Sequence, residues 1–364
     1  MIGRRLKLAR SASGLSLRAL EEKIDHRVTA QAIGKYERDE SMPGSPVLIA
    51  LSEALGVTPD YLVGNPEWVL EGVEYRKKQV VSRKESARIE ATVLHLLERY
   101  LMVEALLHLP SVEWMTPREA PYVVPNLAEA EHAAQRLRLN WGFGPGPLFQ
   151  LVELFEEHGL KVIPLGLTRL SGLIVHVRRC GLEPLPVTVL NARMGGEHQR
   201  FALAQELGDL LLETADDLDR EKALKRFAGA LLMPTETLWA KMGKHRTAIG
   251  WPELFELKAL FGVSVQALTD RCKALGIFSD GLFRSLCREF AIRGWSKLSY
   301  EEPLAIHSEA SNRFERLCYR ALAEGALSEA KTAELLGISV YELNQRMSEP
   351  PVEASKRAKM AMAP

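Results

Sequence analysis

Thr29-Ala30-Gln31-Ala32-Ile33-Gly34-Lys35-Tyr36-Glu37-Arg38 reads as a short helix with a legible start and two unlike faces. Thr29 stands where a side-chain oxygen can accept a backbone N–H of the first turn, a position that Ser, Thr, Asp and Asn favour. Ile33 and Tyr36 share one face at helical spacing, whereas Gln31, Lys35 and Arg38 can point away from it. Upstream, Leu6, Leu15, Leu17, Leu20 and Ile24 fit two short helices joined at Ser13-Gly14, with Ser16 placed to cap the second. Downstream, Ser41-Met42-Pro43-Gly44 breaks the chain. Val47 to Leu55 repeats an apolar face and stops at Gly56, and Val57-Thr58-Pro59-Asp60-Tyr61-Leu62 begins one more turn.

This order of helices resembles the helix-turn-helix domain of XRE-type, phage-repressor-like regulators over residues 1–64. In that family the second helix of the motif enters the major groove with its N-terminal residues at base edges. The resemblance implies that Ala30, Gln31 and Lys35 face bases and that Thr29 and Arg38 lie near phosphates; Arg10 of the first helix is also expected to bind DNA. Gln suits adenine N6/N7 and Lys suits guanine O6/N7. One departure is Asp25-His26-Arg27-Val28, which makes the turn longer than the usual form. Charge agrees with a nucleic-acid partner: residues 1–38 hold nine basic and four acidic side chains, a net of +5. Phosphate contacts need such a local excess, and a bundle used only for protein contacts does not. The expected partner is double-stranded operator DNA, palindromic if the protein acts as a homodimer.

The whole chain hides this asymmetry. Its 364 residues carry 47 Lys and Arg against 47 Asp and Glu, which excludes a uniformly basic coat and an acidic disordered protein. Length predicts two or three domains. The four cysteines (Cys180, Cys272, Cys287 and Cys318) are scattered without a C-x-x-C pair, as expected of buried thiols in a reducing compartment. No apolar signal core and no membrane-length apolar run are present, so a soluble, cytoplasmic protein is expected.

Residues 75–88 are polar and basic, and Ile89 to Leu109 then follows a helical pattern. It suits a helix packed on its own domain, or a dimerising coiled coil too short for sustained heptads. Pro110, Pro117, Pro121 and Pro125 mark the expected main domain boundary. Helices are predicted at 128–139 and 148–158, and extended runs at 160–163, 171–177 and 186–191. Helical spacing then runs from Gly195-Gly196-Glu197-His198 through Gln205-Glu206-Leu207-Gly208-Asp209 to Leu212.

That helix, with Arg226-Phe227-Ala228-Gly229-Ala230-Leu231-Leu232-Met233-Pro234, resembles the ImmA/IrrE family of zinc-peptidase-like domains over residues 125–300. The family pattern H-E-x-x-H projects two histidines from one helix face onto Zn²⁺, with the intervening Glu as general base. By the resemblance the ligand positions are Gln205 and Asp209, the Glu is Glu206, and the third, acidic ligand falls at Ala223. All three ligands are therefore replaced, and no catalytic residue, metal or cofactor is expected. An oxygen-only cation site from Glu206, Asp209 and Glu221 is the alternative left to the residues. His198 lies off the metal spacing. The apolar skeleton is intact, so Gln205, Glu206 and Asp209 are expected to face a cleft of the ancestral shape.

Amphipathic helices are predicted at 254–262, 265–275, 282–293 and 312–323. A second helix-turn-helix-like spacing spans 328–346, where a net charge of −1 suits packing or partner binding better than DNA. The expected fold class is mainly α with a small α+β domain: a five-helix head (1–70), a helical connector and linker (71–124), a zincin-like ImmA/IrrE-type domain (125–300), a helical C-terminal region (301–348) and a flexible tail (349–364). The expected function is a DNA-binding transcriptional regulator, acting as a repressor, with a catalytically inactive peptidase-like domain for a small-molecule effector or partner. An antitoxin that binds its toxin and an active metallopeptidase with a DNA-targeting head are the alternatives.

Overall fold

The computed structural model describes residues 2–57, 59–63, 70–75, 83–109, 113–167, 170–179, 182–295, 302–309 and 312–348; the expected tail at 349–364 lies outside them. Five short helices form the head: α1 (Ile2–Ala12), α2 (Leu17–Lys23), α3 (Ala30–Glu37), α4 (Ser45–Leu55) and α5 (Pro59–Val63). Ser16 and Thr29 cap α2 and α3, accepting from the N–H groups of Ala19 and Ala32. Leu6, Leu20, Ile24, Ile33 and Leu51 meet in one small core. Helices α1 and α3 approach so closely that a Cβ at Gly3 would fall 2.6 Å from the carbonyl oxygens of Tyr36 and Glu37.

The stretch expected to be a connector does not stand apart. It contributes strand β1 (Leu70–Tyr75) and helix α6 (Arg83–Leu106) to the central domain. Strand β2 (Tyr122–Val124) and helices α7 (Leu127–Asn140) and α8 (Leu151–Glu157) follow, then β3 (Lys161–Leu165), β4 (Gly172–Arg179) and β5 (Leu182–Asn191). The four-stranded sheet has the order β1-β4-β5-β3, antiparallel except for the parallel pair β3/β5. Alternation of side chains gives it two apolar faces. Ile163, Val175, Val177, Val187 and Val189 lie under Ile89, Val93, Leu97 and Leu101 of α6. Val162 and Leu190 join the larger core on the other side. Helix α6 is thus a layer of this domain: its four-residue apolar spacing matches a sheet surface.

The larger core is helical. It comprises α9 (Gly196–Leu211), α10 (Arg220–Leu232), α11 (Thr235–Met242), α12 (Trp251–Phe261), α13 (Val265–Ala274) and α14 (Asp280–Arg293), with β6 (Leu212–Thr214) pairing in parallel with β2. Helices α15 (Arg313–Ala323), α16 (Glu329–Leu336) and α17 (Val340–Ser348) complete the described chain. Residues 302–309 form a strap across the start of α9. Glu302 is fully buried against Lys258, Glu309 pairs with Arg200, and the carbonyls of Ile306 and His307 lie where a side chain at Gly196 would be.

Helix α6 holds three partners. The head docks through Arg5, which pairs with Glu98 at 2.7 Å and donates to the Tyr61 carbonyl. On the far side, Arg99 donates to the carbonyls of Glu334 and Leu335 at the C-terminal end of α16, where the helix dipole favours a cation. Tyr100, Val103 and Leu107 pack on Leu317, Cys318 and Leu335. Buried Glu104 binds both Lys161 of β3 and Arg313 of α15.

His95 lies at the joint between α6 and the head, edge-on to Tyr61 at 5.0 Å. Burial, with the charges of Arg99 and Arg5, pushes its imidazole down to about 4. An unfolded histidine titrates near ~6.5. Between those values the unfolded chain binds a proton that the folded chain rejects, so this group lowers stability as pH falls through the window. The wild-type chain is therefore expected to lose on the order of 2–3 kcal/mol on acidification that a His95→Leu variant keeps. Urea midpoints taken at neutral pH and near the lower end of the window check this; equal losses in both proteins would exclude a buried neutral imidazole.

Candidate functional site

In the head, the turn between α2 and α3 runs through Asp25 and His26, both at positive φ (53° and 54°), which accounts for its extra length. Gln31 and Lys35, one helical turn apart, are exposed, and among the described residues no hydrogen bond within the chain engages either side chain. Arg38 is exposed but holds Glu40 at 2.6 and 3.0 Å. Thr29 gives its hydroxyl to the cap, and Ala30 is half-buried. Arg10 is different again. Its guanidinium binds Glu37 at 2.5 and 3.0 Å and the Leu15 carbonyl at 2.7 Å, joining α1 to α3.

Glu21 is a feature that the charge count passes over. Its carboxylate accepts the Ala30 N–H at 2.9 Å and lies 3.3 Å from His26. These bonds, the backbone one first, hold its carboxyl below the usual range. A negative charge at a helix N-terminus is favoured by the helix dipole. Here it also fixes the start of α3 against α2 across the long turn.

In the central domain, α9, α10 and α13 enclose a cleft of about 490 Å³. Phe201, Ala202, Gly229 and Trp295 give it apolar lining, and Lys222, Lys225 and Arg226 of α10 line it with basic groups. Gln205 lines it. Glu206 faces elsewhere, its side chain lying 3.3 Å from the position of a Cβ at Gly172. Asp209 is 2% exposed and bound by Arg220, at 2.7 and 2.9 Å. Ala223 is fully buried in the core. Of the three residues expected to share the cleft, only Gln205 lines it; Asp209, one turn on along the same face, is drawn to Arg220 instead. His198 lines the cleft beside Gln205, and Glu221 is exposed and paired with Lys225.

These residues do not fit zinc. Zn²⁺ favours imidazole or thiolate donors. The positions offer a neutral amide, a carboxylate already neutralised by a guanidinium, and a methyl group. Among the described residues, no three His, Cys, Asp or Glu side chains come together in a metal-binding arrangement.

Comparison with known families agrees with this division of the chain. Residues 6–62 match the helix-turn-helix family model, and residues 155–273 match the model of the IrrE N-terminal-like domain, a peptidase-type family. The chain is thus an XRE-type helix-turn-helix domain fused to an IrrE-like domain, the architecture of a DNA-binding regulator. Neither a curated protein nor a solved structure matches it. Among the described residues, no helix is long and apolar enough to cross a membrane.

Proposed function

We propose that the protein is a sequence-specific transcriptional repressor whose IrrE-like domain has given up peptide-bond cleavage and serves as a sensor or partner-binding body. The observation that carries this reading is the donor set at the three ligand positions: Gln205 on the cleft, Asp209 committed to Arg220, and Ala223 inside the core. The cleft itself keeps a volume suited to a small ligand or a peptide side chain. The exposed Gln31 and Lys35 support a reading helix, and a palindromic operator bound by a homodimer follows from the small contact area of a single head.

The test is selection of bound fragments from genomic DNA by the purified protein, run with and without cell extract. A shared inverted-repeat motif whose recovery changes with extract is the expected outcome. Salt-sensitive binding without any shared sequence would remove the regulator reading. Zinc uptake with proteolysis of a partner would restore the peptidase. An antitoxin role is favoured by one observation, the exposed apolar side chains Val340, Tyr341 and Met347 on α17. Its test is co-purification with the product of the adjacent gene, lost on Tyr341→Ser.

A further inference from the structure

We propose that Arg220 and Asp209 form a clasp that replaces the mechanical role of a metal, tying α9 to α10, and that the same clasp opposes zinc binding. The proposal rests on reading 205, 209 and 223 as former ligand positions. A metal held by two residues of α9 and one of α10 would cross-link those helices. In this chain an arginine makes the cross-link.

Arg220 opens α10, next to the capping residue Asp219 and three positions before Ala223. Its Nε and Nη2 donate to Asp209 Oδ1 at 2.9 and 2.7 Å, and Nη2 also reaches the Asp209 carbonyl at 3.0 Å. Its Nη1 donates to the Leu212 carbonyl at 3.3 Å and Thr214 Oγ1 at 3.2 Å. One side chain thus serves a buried carboxylate and the carbonyls at the end of α9, where a cation is favoured by the helix dipole. The contact is tight beside it: a Cβ at Gly208 would fall 2.7 Å from the Phe227 ring. An interhelical joint made this way requires no metal. A guanidinium fixed on residue 209 also places a positive charge beside any cation ligated from that position, and like charges at short range repel strongly in a partly buried site.

The clasp is tested on the full chain by a thermal cycle. EDTA is expected to leave the wild-type melting temperature unchanged. Arg220→Met leaves Asp209 buried without its cation, and a drop of roughly 6–15 °C is expected, with faster amide exchange along α10. Asp209→Leu with Arg220→Met removes both charges and is expected to regain most of the loss. The second arm compares Gln205→His/Asp209→His/Ala223→Glu with and without Arg220→Met, by zinc competition against a chromophoric chelator. At least tenfold tighter zinc is expected when Arg220 is also replaced. An unchanged melting temperature in Arg220→Met, or a double variant no better than the single, overturns the clasp. Equal zinc affinity in the two backgrounds overturns its opposition to metal. If neither background takes up zinc, the ligand assignment falls, while the thermal cycle still judges the clasp.

Discussion

Gln31→Ala combined with Lys35→Ala is expected to reduce affinity for the selected operator by about 30-fold to over a thousandfold, each bidentate base contact being worth about 1–3 kcal/mol of discrimination. Both side chains are exposed on α3, while Ile33 on the opposite face is fully buried. The melting temperature should therefore stay within about a degree of wild type, surface changes of this kind being nearly neutral. Non-specific binding should persist, since Arg18, Lys23 and Arg27 are also exposed in the head and untouched by the substitution. Fluorescence anisotropy with operator and scrambled duplexes at fixed salt separates the two terms. Unchanged operator affinity would remove α3 from the reading position.

Lys258→Met is expected to have the largest effect on stability. Lys258 is completely buried; its Nζ donates to Glu197 at 3.2 Å, Glu302 at 2.9 Å and the Pro303 carbonyl at 3.2 Å. Glu302 in turn accepts the Val265 N–H at 3.0 Å, and Glu197 accepts that of Ile306 at 3.3 Å. A methionine fills the space but leaves two buried carboxylates without their shared cation, a change that costs about 3–5 kcal/mol for a single broken pair. A fall in melting temperature of at least ~6 °C is expected on that scale. The strap at 302–309 should become the first site of proteolysis, because its buried anchor is lost. Adding Glu302→Gln should recover part of the loss. A variant as stable and protease-resistant as wild type would mean that the triad contributes nothing net.

Local signals carried far in this sequence. Ser16 and Thr29 cap the helices expected of them, and the apolar skeleton Leu203, Leu207, Phe227 and Leu231 forms the core. Strand β1 was hidden because Glu71, Gly72 and Glu74 interrupt its apolar residues, and it gains its order from β4, about a hundred residues away. Strands β2 and β6 are only three residues each, too short for alternation to register. Charge bookkeeping had a comparable blind spot. Of the nine basic residues in the first 38, Arg5 is committed to Glu98 and Arg38 to Glu40, acids outside that count, so a net of +5 overstates what DNA can meet. At the peptidase-like site the residue types at the expected ligand positions, Gln205, Asp209 and Ala223, were plain in sequence. The partner of Asp209 was not, since Arg220 lies eleven residues on and beyond a strand.

Glu98 and Arg99 are consecutive, yet one grips the head and the other the C-terminal helices. Through Arg5 the head is pinned to its body. In an assembled pair the body would then act as a ruler, setting the gap between two recognition helices. Half-sites moved apart or together by a few base pairs would be misread, however well each one matched.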